Sequence, residues 1–150
     1  MTKFAFYQLD RMPLDRALPQ LLNKVIAQNC RVLVRTRTEE ELNHLNRLLW
    51  TYDADSFLPH GTSSDGFDSE QPIYLTTSDV NPNYASVEVL VGGAGHSRKG
   101  NFERTLDLFE GDDPNARAAA TKRRRSLSVA GESVTFWRQS IDGVWKREDG

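Results

Sequence analysis

From Lys3 to Leu9 the run KFAFYQL alternates aromatic with other residues at the two-residue period of a strand. After Pro13, the apolar residues Leu14, Leu18, Leu21, Leu22 and Val25 recur at helical spacing. Pro19 inside that pattern predicts either a kink or a helix start near Ala17. Arg31 to Thr36, RVLVRT, reads as a short strand, and Thr38 followed by Glu41 has the spacing of a capping box. Leu42, Leu45, Leu48 and Leu49 then form a stripe that runs to Trp50. Strands alternating with helices return on the same side of a sheet, and short runs such as VLV suit strands buried on both faces. The expected fold class is therefore α/β with a mainly parallel sheet.

Between Thr51 and Gln71 the pattern breaks into a polar, Gly- and Ser-containing stretch, long for a structureless connection and of the kind that often carries function. PIYLTT (Pro72 to Thr77), SVEVLV (Ser86 to Val91) and RTLDLF (Arg104 to Phe109) predict three more strands. Asp112, Asp113 and Pro114 predict a helix start, the helix running towards Gly131 with acidic residues at its positive end and cations late. VTFWR, Val134 to Arg138, is the last expected strand, and Asp142 to Gly150 is expected to be mobile. The domain reading is one α/β unit over 1–140 and a tail over 141–150.

The length of 150 residues suits one core rather than two. No apolar run approaches the roughly 20 residues needed to span a bilayer, and MTKFAFYQLD lacks the basic head and apolar stretch of a secretion signal. A cytoplasmic protein without membrane contact is the expectation. The lone Cys30 can form neither an internal disulfide nor a thiolate cluster and is expected as a small core residue. The net charge of -2 gives no global attraction to DNA. From Asn115 onward, however, eight cations face four anions, which makes a local anion-binding face possible.

Candidate chemistry is sparse. Gly92 to Gly100, GGAGHSRKG, invites a phosphate-loop reading, yet Arg98 stands where the third glycine of a dinucleotide fingerprint belongs and no Gly-Lys-Ser/Thr follows. A plain loop is the preferred reading, and a small nucleotide-dependent enzyme using that loop is the alternative. His44, His60 and His96 lie far apart without helical partners, so neither a metal site nor a catalytic pair is predicted, and His44 reads as a solvated helix residue. Two constellations remain. Trp50 with Phe57, Leu58, Pro59 and His60 is either a loop folded back on the core or an aromatic partner patch. The run Lys122, Arg123, Arg124 and Arg125, with Arg117, is either a solvated basic face or a site for a carboxylate or phosphate. Helical geometry gathers Arg117, Thr121, Arg124, Arg125 and Ser128 near one face, with Trp137 and Leu127 as possible adjacent apolar surface.

The segment LNRLLWTYDADSFLPHG, followed by PIYL, resembles the chi subunit family of bacterial DNA polymerase III: a helix ending in Trp, then a Ser-Phe-x-Pro-His loop. FAFYQLD, RVLVRT and FERTLDLFEGDD with its following helix add support, and the resemblance runs from about Phe4 to Arg138. It implies a single three-layer α/β domain of nucleotide-binding-like topology without a nucleotide site. It also implies a non-catalytic replication subunit with no cofactor and no metal. The family links the psi subunit of the clamp-loader assembly to the acidic, hydrophobic C-terminal tail of single-stranded-DNA-binding protein, touching DNA only indirectly. By carry-over, Trp50, Phe57, Pro59 and His60 form the psi side. Arg117 and Arg125 match the tail site, with Lys122 and Arg124 as helpers. Thr121 stands where the family carries Arg, Arg124 where an aromatic is common, and GGAGHSRKGN where a helix follows the fourth strand. These departures imply a rearranged or weakened tail site and a shortened or lost helix.

Overall fold

The computed structural model describes residues 2–10, 12–51, 59–99, 102–139 and 144–148. Phe57 and Leu58 lie outside the described residues. The elements run β1 (Lys3–Leu9), α1 (Leu14–Ala27), β2 (Val32–Arg35), α2 (Glu39–Thr51), β3 (His60–Gly61), β4 (Ile73–Thr76), β5 (Val87–Leu90), β6 (Arg104–Glu110), α3 (Pro114–Val129), β7 (Ser133–Gln139) and β8 (Trp145–Arg147), with a 3-10 turn at Asp68–Glu70.

The strands form one sheet in the order β3-β4-β2-β5-β6-β1-β7-β8, parallel throughout except for the β7–β8 pair. Alternation along each strand sends neighbouring side chains to opposite layers. Val32, Val34, Val87, Val89, Leu106 and Leu108 pack under α1 and α2 with Leu18, Leu22, Leu45 and Leu49. On the other face, Phe4, Phe6 and Phe109 pack under α3 with Ala120 and Leu127. Burying each such large apolar side chain contributes about 1.5–3 kcal/mol, so the two layers hold the sheet from both sides.

The chain is thus the three-layer α/β domain expected. The Thr38 hydroxyl accepts the Glu41 amide at 3.2 Å and donates to Glu41 Oε1 at 3.1 Å, so the predicted cap starts α2. α1 begins at Leu14 rather than Ala17 and continues through Pro19. The fixed φ of proline is compatible with a helix, and the sixth position loses one ladder bond without ending the element. Cys30 is half-buried at the edge of the main core rather than inside it. Between β5 and β6 no helix occurs among the described residues, matching the loss implied by GGAGHSRKGN. Two elements were not foreseen: β3, and β8 within the segment expected as a tail. Trp145 of β8 meets the Tyr7 ring edge-on at 5.2 Å. Among the described residues, no helix is long and apolar enough to cross a membrane.

Candidate functional site

α2 turns Leu42, Leu45 and Leu49 to the core, which leaves the next residue about 100° round the helix. Trp50 is accordingly 53% exposed rather than folded into the interior. His60, the first residue of β3, is 6% exposed, and its ring lies 4.9 Å from the Trp50 ring at a 58° tilt. His60 Nε2 also sits 3.3 Å from the Asn46 carbonyl oxygen. The structure therefore brings Trp50 and His60 together, with exposed Pro59 next to His60 in the chain.

α3 starts where the Asp113 carboxylate accepts the amides of Asn115 at 2.9 Å and Ala116 at 3.4 Å, with Pro114 in the first turn. Only Ala120 and Leu127 of the helix are buried, two turns apart on one side. The cations around that stripe have different fates. Arg117 is exposed and its Nη1 donates to the Gly111 carbonyl at 2.8 Å. Arg124 holds its guanidinium 3.9 Å above the Phe136 ring of β7, within cation–π range. Arg125 is exposed. Arg123 pairs with Asp107 of β6 through Nε at 2.8 Å and Nη2 at 3.0 Å. Burial raises the Asp107 carboxyl above the usual carboxylate range, against the pull of Arg123.

Exposed Lys122 lines a cavity of about 540 Å³ beneath the opposite flank of α3 from Arg124. Phe4, Phe6, Leu90 and Leu127 form its apolar lining, and Gly95, His96 and Arg98 enter it from the β5–β6 connection. The expected basic face is therefore divided between two flanks. Trp137 does not adjoin Leu127. Trp137 of β7, in register with Tyr7 of β1, faces the α1 layer and stacks on that ring at 6.1 Å, because its strand parity differs from that of Phe136.

The glycine-containing connection is not an open phosphate cradle. The Ser97 amide donates to both oxygens of Glu88 at 3.2 and 3.1 Å, the Arg98 amide to Asp79 at 3.0 Å, and the Lys99 amide to Ser97 Oγ at 3.2 Å. These donors are already engaged with groups of the protein. Gly92, at φ +63°, adopts the left-handed turn beside Glu41. Below the connection lies a network that sequence reading missed. Arg35, 4% exposed, pairs with Glu88, 1% exposed, and donates from Nε to the Ser78 carbonyl at 2.9 Å. Glu88 also accepts the Thr105 hydroxyl at 3.1 Å. Arg35 looks like a strand-end charge in RVLVRT, and only the pairing of β2 with β5 reveals its partner. His44 is exposed as expected and joins α2 to α1 through Asp15 at 2.8 Å. Among the described residues, no three His, Cys, Asp or Glu converge as a metal-binding group.

Comparison with known proteins bears on these surfaces. Residues 1–135 match the family model described as DNA polymerase III chi subunit, HolC. A probable DNA polymerase III subunit chi from Rickettsia prowazekii (strain Madrid E) is 34% identical over 91 residues, which cover 61% of this chain and 55% of that relative. The chain thus spans about half the length of the curated relative it matches.

Proposed function

The chain belongs to the DNA polymerase III chi subunit family, and on that premise we propose that it is a non-catalytic accessory subunit joining two partners during DNA replication. One is the psi subunit of the clamp-loader assembly, held at Trp50, Phe57, Pro59 and His60. The other is the acidic C-terminal tail of single-stranded-DNA-binding protein, drawn to α3 by Arg117, Lys122, Arg124 and Arg125. DNA is engaged only indirectly, in keeping with the net charge of -2.

The observation that carries this reading is the separation of the two surfaces. Trp50 lies near the end of α2 in one outer layer, and the cations lie on α3 in the other, with the sheet between them. A linker needs both partners bound at once, and opposite layers allow it without steric competition. An exposed Trp is a usual interface anchor, and arginines match carboxylates with paired hydrogen bonds.

The test is calorimetric titration with a peptide copying the tail of single-stranded-DNA-binding protein, beside the same peptide without its last two residues, each in the presence and absence of psi. The expected result is binding of the intact peptide only, with affinity unchanged by psi. Mutually exclusive binding of peptide and psi would refute the linking role.

A further inference from the structure

α1 and α2 cover one face of the sheet over β2, β4, β5 and β6. Toward the β8 edge the same face carries three half-buried rings, Tyr7 of β1, Trp137 of β7 and Trp145 of β8. Tyr7 stacks on Trp137 at 6.1 Å and meets Trp145 edge-on at 5.2 Å. Between these rings and α1 lies a cavity of about 220 Å³, whose helical wall presents Gln20, Lys24 and Gln28. Arg104 of β6 also lines it, with Nη2 donating to Gln28 Oε1 at 3.0 Å. Lys24 is exposed and forms no salt bridge with a described residue, and no Asp or Glu is part of the lining. Arg147, opposite Trp137 in the β7–β8 pair, adds a third cation to this face. Burial raises the Tyr7 phenol above its ordinary value, against the pull of Arg104, so its hydroxyl remains a neutral donor. The cavity is separate from both partner surfaces: Trp50 lies near the end of α2, and α3 packs on the opposite face of the sheet.

We infer that this cavity binds a small aromatic anion, one ring system against the Trp137 and Trp145 side with its phosphate or carboxylate on Lys24 and Arg104. Aromatic side chains offer a stacking surface to any flat ring, and a guanidinium and an ammonium attract an anionic group that no carboxylate of the lining opposes. The Gln20 amide supplies both a donor and an acceptor to a polar ring edge. The volume is below the roughly 300–1,000 Å³ of sites that enclose drug-sized ligands, which limits the occupant to a single ring system with its charge at the mouth. β8 completes the site, because Trp145 closes the side of the Tyr7 ring that Trp137 leaves open. The same chemistry belongs to nucleoside monophosphates and to aryl carboxylates, and neither requires psi or the tail peptide.

The three tryptophans allow the full chain to report its own binding, since each gives one indole N–H signal in a nitrogen-15 spectrum. Thymidine monophosphate, indole-3-acetate, uncharged thymidine and a single-stranded thymidine oligonucleotide are titrated separately to about 10 mM, above the millimolar range of weak sites. The expected result is a saturable shift of the Trp137 and Trp145 signals with one or both of the anions, the Trp50 signal staying in place; which anion binds more tightly identifies the source. Lys24→Glu with Arg104→Gln is expected to weaken the anion by about tenfold or more, and Lys24→Glu alone, at an exposed position, by about threefold. Gln20→Phe, also exposed, is expected to block binding by filling the cavity. Thermal denaturation checks that each variant is folded. No shift with either anion, a shift confined to Trp50, or thymidine binding as tightly as its monophosphate would overturn the inference. Binding of the oligonucleotide more than about tenfold tighter than the monophosphate would overturn it in favour of a nucleic-acid strand.

Discussion

Replacing Glu88 by Leu removes the carboxylate that gathers the Arg35 guanidinium, the Ser97 amide and the Thr105 hydroxyl beneath the β5–β6 connection. Breaking a buried ion pair from one side costs about 3–5 kcal/mol, because the remaining charge is left uncompensated. Asp79 lies 3.6 Å from Arg35 Nη2 and still offsets part of that charge, which places the expected loss near 3 kcal/mol, the lower end of the range. Against a total stability of roughly 5–15 kcal/mol, that is a large fraction. Arg35→Met should cost a similar amount, since it leaves Glu88 buried with two neutral donors. The double variant should lose at least about 2 kcal/mol less than the two single losses together, because neither charge then remains. It should not return to the original stability, since the Ser97 amide and Thr105 hydroxyl have lost their acceptor. Urea unfolding followed by circular dichroism measures all four proteins. Single losses that add to within about 0.5 kcal/mol would refute the claim that Arg35 and Glu88 act as a pair.

Trp50→Ala should abolish association with psi while leaving the unfolding midpoint nearly unchanged, since the side chain is 53% exposed; co-purification and thermal denaturation read the two effects separately. Gly92→Ala should destabilise the protein by about 1–2 kcal/mol, because a side chain at φ +63° is strained and its Cβ would displace the Glu41 carboxylate; denaturant unfolding measures it. The Asp107 carboxyl titrates above its ordinary value in the folded chain, so the native state binds more protons than the unfolded one in that interval. Relative to Asp107→Asn, stability should therefore fall as pH rises from about 3.8 to the raised native value and then level off. A difference that grows in favour of Asp107 over that range would mean that Arg123 outweighs burial.

The strands and helices with strong periodicity were legible because each buries a face through a repeated spacing: KFAFYQL, the leucines of α2 and the valines of β2 and β5 announce themselves. β3 and β8 were not, since two and three residues are too few to show a period. Trp50 could be singled out, although only the structure decides between core and surface for it. The basic helix was equally visible, but its division was not. Helical angles gather Arg117, Arg124 and Arg125, while the neighbours that engage Arg124 and Arg123 come from β7 and β6. Arg98 gave no signal as a neighbour of α3 because its loop carries no period, and the cavity it lines with Lys122 is assembled from β1, β5 and β6.

The position of β1 has a consequence for synthesis. β1 lies between β6 and β7, with Lys3 opposite both Arg104 and Ser133. A nascent chain leaving the ribosome can form β2, α2 and β4 early, but β1 must wait for about a hundred further residues, until β6 has emerged, before either edge is satisfied. Such distant pairing makes folding slow and leaves an aromatic-rich segment exposed meanwhile. Phe4, Phe6 and Tyr7 are thus the stretch that a chaperone would need to shield until β6 and β7 have emerged.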